Sequence, residues 1–337
     1  MLASVVKTIF MKNLIYFLGG TSMFTLLFSA LFFLSCKKDD ATVDELRYRK
    51  YWSKHRTTTP VKVDTTKTPT GNGSTGTGTG TTGTGTTGTG TGTGTGTTTP
   101  GTASDGKRSN LVLESTFESG SSGWNITDQI GTSYGAGISS DFARAGSKSM
   151  RIELRRGDPL VSSSARAEIQ PNAGSSNSAS SEAWFGFSMY VPSDWFVSTN
   201  PESPIQFHQA PYVDGSEPVG FWIDGANFEM MITKGKNAGN TYIKGPAVKK
   251  GAWNDVVLHV KWDAGSNGIV EAWVNGTQFA DYKGITNYPG QGYYTKVGAY
   301  KWYWQDPSTK DNGSKRVYYF DEFRIGNASA TYNDVAP

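Results

Sequence analysis

From Asn110 onward, the chain consists of short segments in which apolar and polar residues alternate, separated by Gly, Asn, Ser and Pro. Successive side chains of a β-strand point to opposite faces, so each segment can bury one face and leave the other free. The clearest apolar sets are Met150/Ile152/Leu154, Phe185/Phe187/Met189/Val191, Val256/Leu258/Val260/Trp262 and Val270/Ala272/Val274. This pattern restricts residues 110–337 to an architecture of half-buried strands.

The same region shows no long apolar repeat of helical period. Asn275-Gly276 follows one strand segment and predicts a two-residue hairpin turn, while Val317 to Ile325 is predicted as the last strand. Pro192 should end the strand that contains Val191, because proline cannot donate to a ladder of hydrogen bonds. We therefore expect an all-β domain at residues 110–337, a jelly-roll sandwich of two antiparallel sheets.

A different composition precedes this domain. Residues 57–109 are rich in Thr, Gly and Pro, with an uninterrupted Gly/Thr run from Thr75 to Thr99, and residues 37–56 are charged and polar. The Gly/Thr-rich part has almost no apolar side chains to offset the entropy of ordering, so we expect a disordered tether. A flexible spacer of about 45 residues would extend roughly 35 to 40 Å.

The N-terminus predicts export. Residues 14–34 are almost uniformly apolar, Lys7 and Lys12 precede them, and Ser35-Cys36 follows. This order predicts a lipoprotein signal at residues 1–36, with Cys36 acylated and held by outer-membrane lipid, at the cell surface or the periplasmic face. The ending resembles lipoprotein signals of Bacteroidetes, although Phe33 replaces the usual Leu. An uncleaved transmembrane anchor is the alternative, because about 20 apolar residues span a bilayer.

Composition excludes several classes of protein. A net charge of +3 without a clustered basic stripe argues against a nucleic-acid partner. Cys36 is the single cysteine and lies before the domain, so a disulfide framework and a cysteine-based zinc site within the domain are excluded. The aromatic content of 13% and the 41 glycines favour an extracellular β-protein that binds sugars, which we expect to be a monomer.

Three strand segments carry unusual polar faces. In each, polar side chains share one face while small or apolar residues occupy the other. The polar sets are Arg166 and Glu168, then Gln206 and His208, then Tyr294, Lys296, Tyr300 and Trp302. These segments are predicted to form one polar cleft.

The residue types in this cleft suit β-elimination on a uronic acid. The C5 proton of a uronate is removable only when the adjacent carboxylate is neutralised, so that fixed donors stabilise the enolate-like intermediate. Arg166 and Gln206 are the candidates for that task, and His208 and Tyr300 are the available base and acid. Lys296 is a candidate either for lowering the Tyr300 pKa or for binding a substrate carboxylate.

The stereochemistry of the substrate leaves two assignments open. Where H5 and O4 lie on the same side of the ring, as in glucuronate or mannuronate, Tyr300 alone can act as base and then as acid. Where they lie on opposite sides, as in guluronate or iduronate, His208 as base and Tyr300 as acid is the more reasonable division.

These segments resemble the motif set of jelly-roll polysaccharide lyases, which consists of an R-x-E-[LI] strand, a Q-x-H strand and a Y-x-K-x-G-x-Y strand. The fold of these lyases is concanavalin-like. Alginate lyases carry all three motifs, and residues 110–327 as a whole are more similar to heparin and glucuronan lyases. The resemblance implies catalytic roles for Arg166, Gln206, His208 and Tyr300 and a supporting role for Lys296. Glu168, Tyr294 and Trp302 are candidate substrate contacts, and the two aromatic rings could either stack on sugar faces or pack within the sheet. Lys301-Trp302-Tyr303-Trp304 departs from the alginate-lyase pattern.

The resemblance implies a lyase that acts on an anionic polysaccharide and needs no cofactor for its chemistry. Asp321 and Glu118 are candidate ligands for a structural Ca²⁺, because carboxylates suit a hard cation. A carbohydrate-binding module without catalysis is the alternative function. A glycoside hydrolase is disfavoured, because no closely spaced E-x-D-x-x-E strand supplies paired carboxylates.

Some of these polar residues also have purely structural interpretations. Arg166 and Glu168 could form an ordinary ion pair, which contributes little when exposed to water. His259, beside Lys261 on another polar face, is expected to make a structural hydrogen bond.

Overall fold

The computed structural model describes residues 109–211, 215–235 and 238–337. Its strands are β1 Leu111–Ser115, β2 Trp124–Ile130, β3 Ala136–Ser139, β4 Ser149–Arg155, β5 Arg166–Pro171, β6 Glu182–Val191, β7 Glu202–Ala210, β8 Val219–Asp224, β9 Asn227–Thr233, β10 Asn240–Ala247, β11 Ala252–Lys261, β12 Gly268–Val274, β13 Thr277–Gly284, β14 Gly292–Tyr300 and β15 Lys315–Gly326. The helices are a 3-10 turn, Trp302–Gln305, and α1, Tyr332–Val335. The expected all-β class is confirmed.

The strands form two sheets, and every strand pair in them is antiparallel. The eight-stranded sheet runs β13-β12-β11-β6-β15-β4-β3, with β1 paired to β15. The seven-stranded sheet runs β10-β9-β8-β7-β14-β5-β2. Strands β5, β14 and β7 are far apart in sequence but adjacent in space, which positions the site described below.

The apolar faces of both sheets form one core between them. The eight-stranded sheet contributes Phe185, Phe187 and Leu258, and the seven-stranded sheet contributes Phe207 and Val297, all fully buried. The alternation in the sequence assigned these core faces correctly, because the side chains that fill the space between the two sheets recur at every second position of a strand.

The predicted hairpin and the last strand are also confirmed. Asn275 and Gly276 join β12 to β13 with φ angles of 51° and 78°, the positive values that a type I′ turn requires. The last strand is longer than predicted, beginning at Lys315 and ending at Gly326. Its pairing with β6 shifts between Asp321 and Arg324, and Glu322 has a positive φ of 51° at this irregularity.

The strand that contains Tyr300 ends sooner than the sequence suggests. Backbone alternation was expected to continue to Trp302, but β14 stops at Tyr300 and the 3-10 turn begins at Trp302. Lys301, between the two, has its ammonium 3.4 Å from Glu202 and 3.3 Å from Asp311, and it is 1% exposed. These buried ion pairs hold Lys301 at the point where β14 ends and the 3-10 turn is about to begin.

Lys301 belongs to a buried network of four charges that joins distant parts of the chain. Arg316 makes two contacts of 2.7 Å with Glu202 and donates to the Phe196 carbonyl at 3.0 Å. Burial lowers the pKa of Lys301 despite its two carboxylate partners. Burial also opposes charge on Asp311, but Lys301 and donors on Ser198 and Trp304 lower the pKa of that carboxyl overall.

A second charge cluster lies on the outer face of the eight-stranded sheet. Both ring nitrogens of His259 contact carboxylates, Nδ1 with Glu271 at 2.7 Å and Nε2 with Glu182 at 2.8 Å, and the ring stacks on Trp184 with centroids 4.0 Å apart. The expected structural hydrogen bond is thus confirmed. Burial opposes a charge on His259, but the two carboxylates outweigh it and raise the pKa of the imidazole above its usual 6.5.

This cluster predicts a pH-dependent stability. Because the folded pKa of His259 exceeds the unfolded value, its contribution is fully present below pH 6.5 and is lost as pH rises through the folded pKa. Urea midpoints measured between about pH 6 and about pH 9 should fall for the wild type, and this fall should be smaller in His259→Gln. Equal slopes in the two proteins would contradict the assignment. Asp321, with a pKa raised by burial to about 6, acts mainly below this window.

The predicted signal, polar segment and tether at residues 1–36, 37–56 and 57–109 lie outside the described residues, apart from residue 109. Acylation of Cys36 and export therefore stay predictions. Within the part of the chain that the structure describes, no helix is long and apolar enough to cross a membrane.

Candidate active site

The three predicted polar segments meet on one face of the seven-stranded sheet, directed away from the core; we call it the site face. On the central strand β14, Tyr300 lies opposite Arg166 of β5, whereas Lys296 and Tyr294 lie opposite Gln206 and His208 of β7. Tyr300, Lys296 and Tyr294 of β14 therefore each have a polar neighbour on an adjacent strand.

Arg166, Glu168 and Gln206 form a connected cluster at the centre of the site face. The Arg166 guanidinium donates to Glu168 Oε2 at 3.2 Å, and the Gln206 amide donates to Glu168 Oε1. Glu168 is 1% exposed and Arg166 6%. The Arg166–Glu168 ion pair is therefore buried. It is not the water-exposed, weakly stabilising ion pair that was the structural alternative in the sequence analysis.

Gly298 makes this cluster sterically feasible. Glu168 on β5 and Gln206 on β7 are separated by β14, and Gly298 is the residue of β14 opposite Glu168. Two strands separated by a third are roughly 10 Å apart, so the two side chains meet only if nothing rises between them. Gly298 has a φ of 155°, and a Cβ there would lie 2.2 Å from the Ala167 carbonyl oxygen. Glycine tolerates this backbone conformation, and it has no side chain to separate Glu168 from Gln206.

Tyr300 lies against a cation. The Arg166 guanidinium lies over its ring, 4.3 Å from the centroid, and its hydroxyl is 3.4 Å from Ser164 Oγ. The Trp302 ring also packs against the Tyr300 ring, with centroids 5.2 Å apart. The Tyr300 ring is thus held by packing against Arg166 and Trp302.

His208 lies toward the other end of β14. Its ring stacks beside Tyr294 with centroids 5.4 Å apart, and the Lys296 ammonium is 5.6 Å from the same tyrosine ring. Tyr294 and Tyr300 are six residues apart, a backbone rise of roughly 20 Å on an extended strand. The site face therefore has a Tyr300/Arg166 end and a His208/Tyr294 end, with Lys296 and Gly298 between them.

Residues of β8, β9 and β10 extend the site face and were missed by the sequence analysis. Trp222 packs on Trp302 with centroids 4.8 Å apart and donates from Nε1 to Glu217 at 3.0 Å. Met231 and Tyr242 complete this aromatic group. The alternation of β8 and β9 could have indicated an outward Trp222 and Met231, but these strands carry no recognisable motif. Trp302, predicted to contact substrate, is buried in this group and 6% exposed.

The two candidate Ca²⁺ ligands hold backbone amides. Asp321 accepts from the amides of Arg144 and Glu322, both at 2.7 Å. Glu118 accepts from the amides of Ser147 at 2.8 Å and Lys148 at 2.7 Å. Both carboxylates thus fix the loop before β4. Among the described residues, no group of three or more His, Cys, Asp or Glu side chains is arranged to hold a metal ion.

A comparison with protein-family models decides the family. The model described as polysaccharide lyase matches residues 117–324, more than half of the chain. The chain belongs to this polysaccharide lyase family. The matched region of this family member includes every residue of β5, β7 and β14, and it ends within β15.

One solved structure supports the same fold for this member of the polysaccharide lyase family. An endo-β-1,4-glucuronan lyase from the fungus Trichoderma reesei is similar at 18% identity, covering 68% of this chain and 95% of that chain, with a TM-score of 0.51. An alginate lyase of polysaccharide lyase family 7 is 14% identical, covering 59% and 86%, with a TM-score of 0.45. A search of curated proteins finds no match to this sequence.

Proposed function

We propose that this polysaccharide lyase family member cleaves a uronic-acid-containing polysaccharide by β-elimination and leaves a 4,5-unsaturated uronate end. Glucuronan, alginate and heparin-like chains are the candidate substrates. One observation carries the proposal: Arg166, Gln206, Lys296 and Tyr300 project from adjacent strands onto one face. A module that only binds an anionic sugar could use the cations to pair with its carboxylates, but it has no need for a tyrosine hydroxyl on the same face.

The charges of the site face suit one substrate carboxylate. Arg166 and Lys296 supply two positive charges and Glu168 one negative charge, which leaves a formal charge of +1 on these three side chains. A uronate carboxylate placed among Arg166, Lys296 and Gln206 would be neutralised by fixed donors. This neutralisation makes the C5 proton acidic enough to remove, because the developing enolate-like charge meets dipoles and cations that are already oriented.

Tyr300 is the proposed base and acid when H5 and O4 lie on the same side of the ring. The phenolate takes the C5 proton, the electrons of the C5–H bond form the C4–C5 double bond, and the C4–O4 bond breaks. The phenol then returns the proton to the departing oxygen. The Arg166 guanidinium over the ring places a positive charge beside the proposed base and supports this role.

His208 is proposed as a contact to the neighbouring sugar in this reaction. Its separation from Tyr300 along β14 supports this division of roles. The alternative in which His208 is the base applies to guluronate or iduronate, where the proton and the leaving oxygen lie on opposite faces of the ring.

The test is an ultraviolet screen. The purified protein is incubated with glucuronan, alginate, heparin and related chains, and absorbance of the conjugated double bond in the product is followed. A rise on at least one polymer is expected. Binding without any rise on the whole panel would favour the carbohydrate-binding module.

The setting of the enzyme is also proposed. The lipoprotein signal predicts a mature protein that begins at acylated Cys36 and is displayed on the outer membrane. The intact mass of the mature protein tests this, because a species that retains residues 1–35 would contradict it.

A further inference from the structure

The sequence analysis assigned Glu168 to substrate binding, but its surroundings point elsewhere. Its side chain is fully buried, with one carboxylate oxygen on Arg166 and the other on Gln206. A carboxylate that faced an anionic substrate directly would repel it. Both partners of Glu168 are the residues proposed to neutralise the substrate carboxylate.

We propose that Glu168 is a positioning residue that fixes Arg166 and Gln206 for catalysis across the gap above Gly298. The inference rests on the proposed function. Glu168 contacts no reacting atom in this account. It acts through its two neighbours, one on its own strand β5 and one on β7, two strands away.

Glu168 links Arg166 to Gln206, and this bridge has two consequences for the two residues that it joins. An amide that donates Nε2–H to Glu168 has a defined orientation, which leaves its second N–H for the substrate. The Arg166 guanidinium donates from one terminal nitrogen to Glu168 and to Gln129 Oε1, the latter at 3.5 Å, and these contacts hold it over the Tyr300 ring. Both donors are thereby oriented before the substrate arrives, as electrostatic catalysis requires.

Glycine at position 298 is part of the same arrangement. Gly298 has no side chain to lie between Glu168 and Gln206, and a Cβ at this position would collide with the β5 backbone. The glycine in the Y-x-K-x-G-x-Y strand therefore serves the bridge as well as the local conformation.

The experiment compares Glu168→Gln with a matched control. Glu153→Gln is suitable because Glu153 is also buried and pairs with an arginine two residues earlier, Arg151, but on the outer face of the other sheet. With the polymer that the wild type cleaves best, Glu168→Gln should lower kcat about a hundredfold because its partners lose their fixed positions. KM should rise by no more than about threefold. The loss of the Glu168 charge makes the site face more positive, and this favours binding of the anionic polysaccharide.

Glu153→Gln should leave kcat unchanged. Glu168→Asp, which keeps the charge but is too short to hold both partners, should also lose kcat. A raised KM with nearly unchanged kcat in Glu168→Gln would make Glu168 a substrate ligand. Activity losses that match those of Glu153→Gln, or that follow only the fraction of folded protein, would make its role structural. Either result overturns the inference.

A second measurement separates this inference from the proposed function. The side-chain amide signals of Gln206 in ¹⁵N-labelled protein should shift in Glu168→Gln and in Glu168→Asp, but not in Glu153→Gln. Unchanged Gln206 signals would overturn the positioning role even in an active enzyme. A wild type that cleaves none of the polymers would overturn the proposed function, and with it the catalytic meaning of the bridge, whatever the amide signals show.

Discussion

Tyr300→Phe is expected to reduce kcat by about a thousandfold or more, because it removes the one group proposed to take the C5 proton and return it to O4. The substitution should not disturb folding. The ring remains packed against Arg166 and Trp302, and these contacts do not involve the hydroxyl. Substrate affinity, measured by calorimetry on the inactive variant, should stay close to that of the wild type.

Tyr319→Phe is the matched control. Tyr319 belongs to β15 on the opposite sheet, and its hydroxyl contacts Asp141 at 3.2 Å, far from the site face. Loss of this hydroxyl should leave kcat unchanged. Full activity in Tyr300→Phe would contradict the assigned chemistry even if the family assignment and the product remained correct.

Among the substitutions proposed for this protein, Arg316→Met is expected to cause the largest loss of stability, about 3 to 5 kcal/mol of unfolding free energy. Arg316 is 1% exposed, and it neutralises Glu202 through two contacts of 2.7 Å. Methionine fills much of the volume but leaves the buried Glu202 with Lys301 at 3.4 Å as its remaining cation in the network. Urea unfolding, with the midpoint and slope both fitted, measures the loss.

Arg155→Met is the control for this prediction. Arg155 also contacts a buried glutamate, Glu153, but its own side chain is 52% exposed and Arg151 remains to pair with that glutamate. Water screens such a pair, so the loss should be about 1 kcal/mol or less. Similar losses of unfolding free energy in the two variants would show that burial does not determine how much the Arg316 network contributes to stability.

The sequence was sufficient for the faces of the strands and for much of the site. Alternation in Ile205-Gln206-Phe207-His208 identified Phe207 as core and Gln206 and His208 as outward-facing, because period two is a property of any strand. Asn275-Gly276 identified its hairpin for an equally local reason, the positive φ of both residues.

Interactions between distant segments could not be predicted in this way. The bridge from Glu168 to Gln206 depends on β14 lying between β5 and β7, a sheet order that no local pattern encodes. Lys301 appeared to continue a strand, and its burial depends on Glu202 and Asp311, about 100 residues before it and 10 after it. Trp222 reaches the site face from a strand without a motif. Sheet order and buried charge pairing are set by the whole core rather than by neighbouring residues.

The central claim is that the site face performs elimination, and the most direct measurement is the fate of solvent oxygen. A uronate oligosaccharide that the protein cleaves is digested in water labelled with heavy oxygen, and the two product halves are weighed by mass spectrometry. Elimination predicts that neither newly formed end contains solvent oxygen. It also predicts that one product half has the mass of the corresponding hydrolysis product minus one water molecule, and that this half absorbs as a conjugated double bond. Label at the cleaved position, with no double bond, would show hydrolysis and would contradict the account.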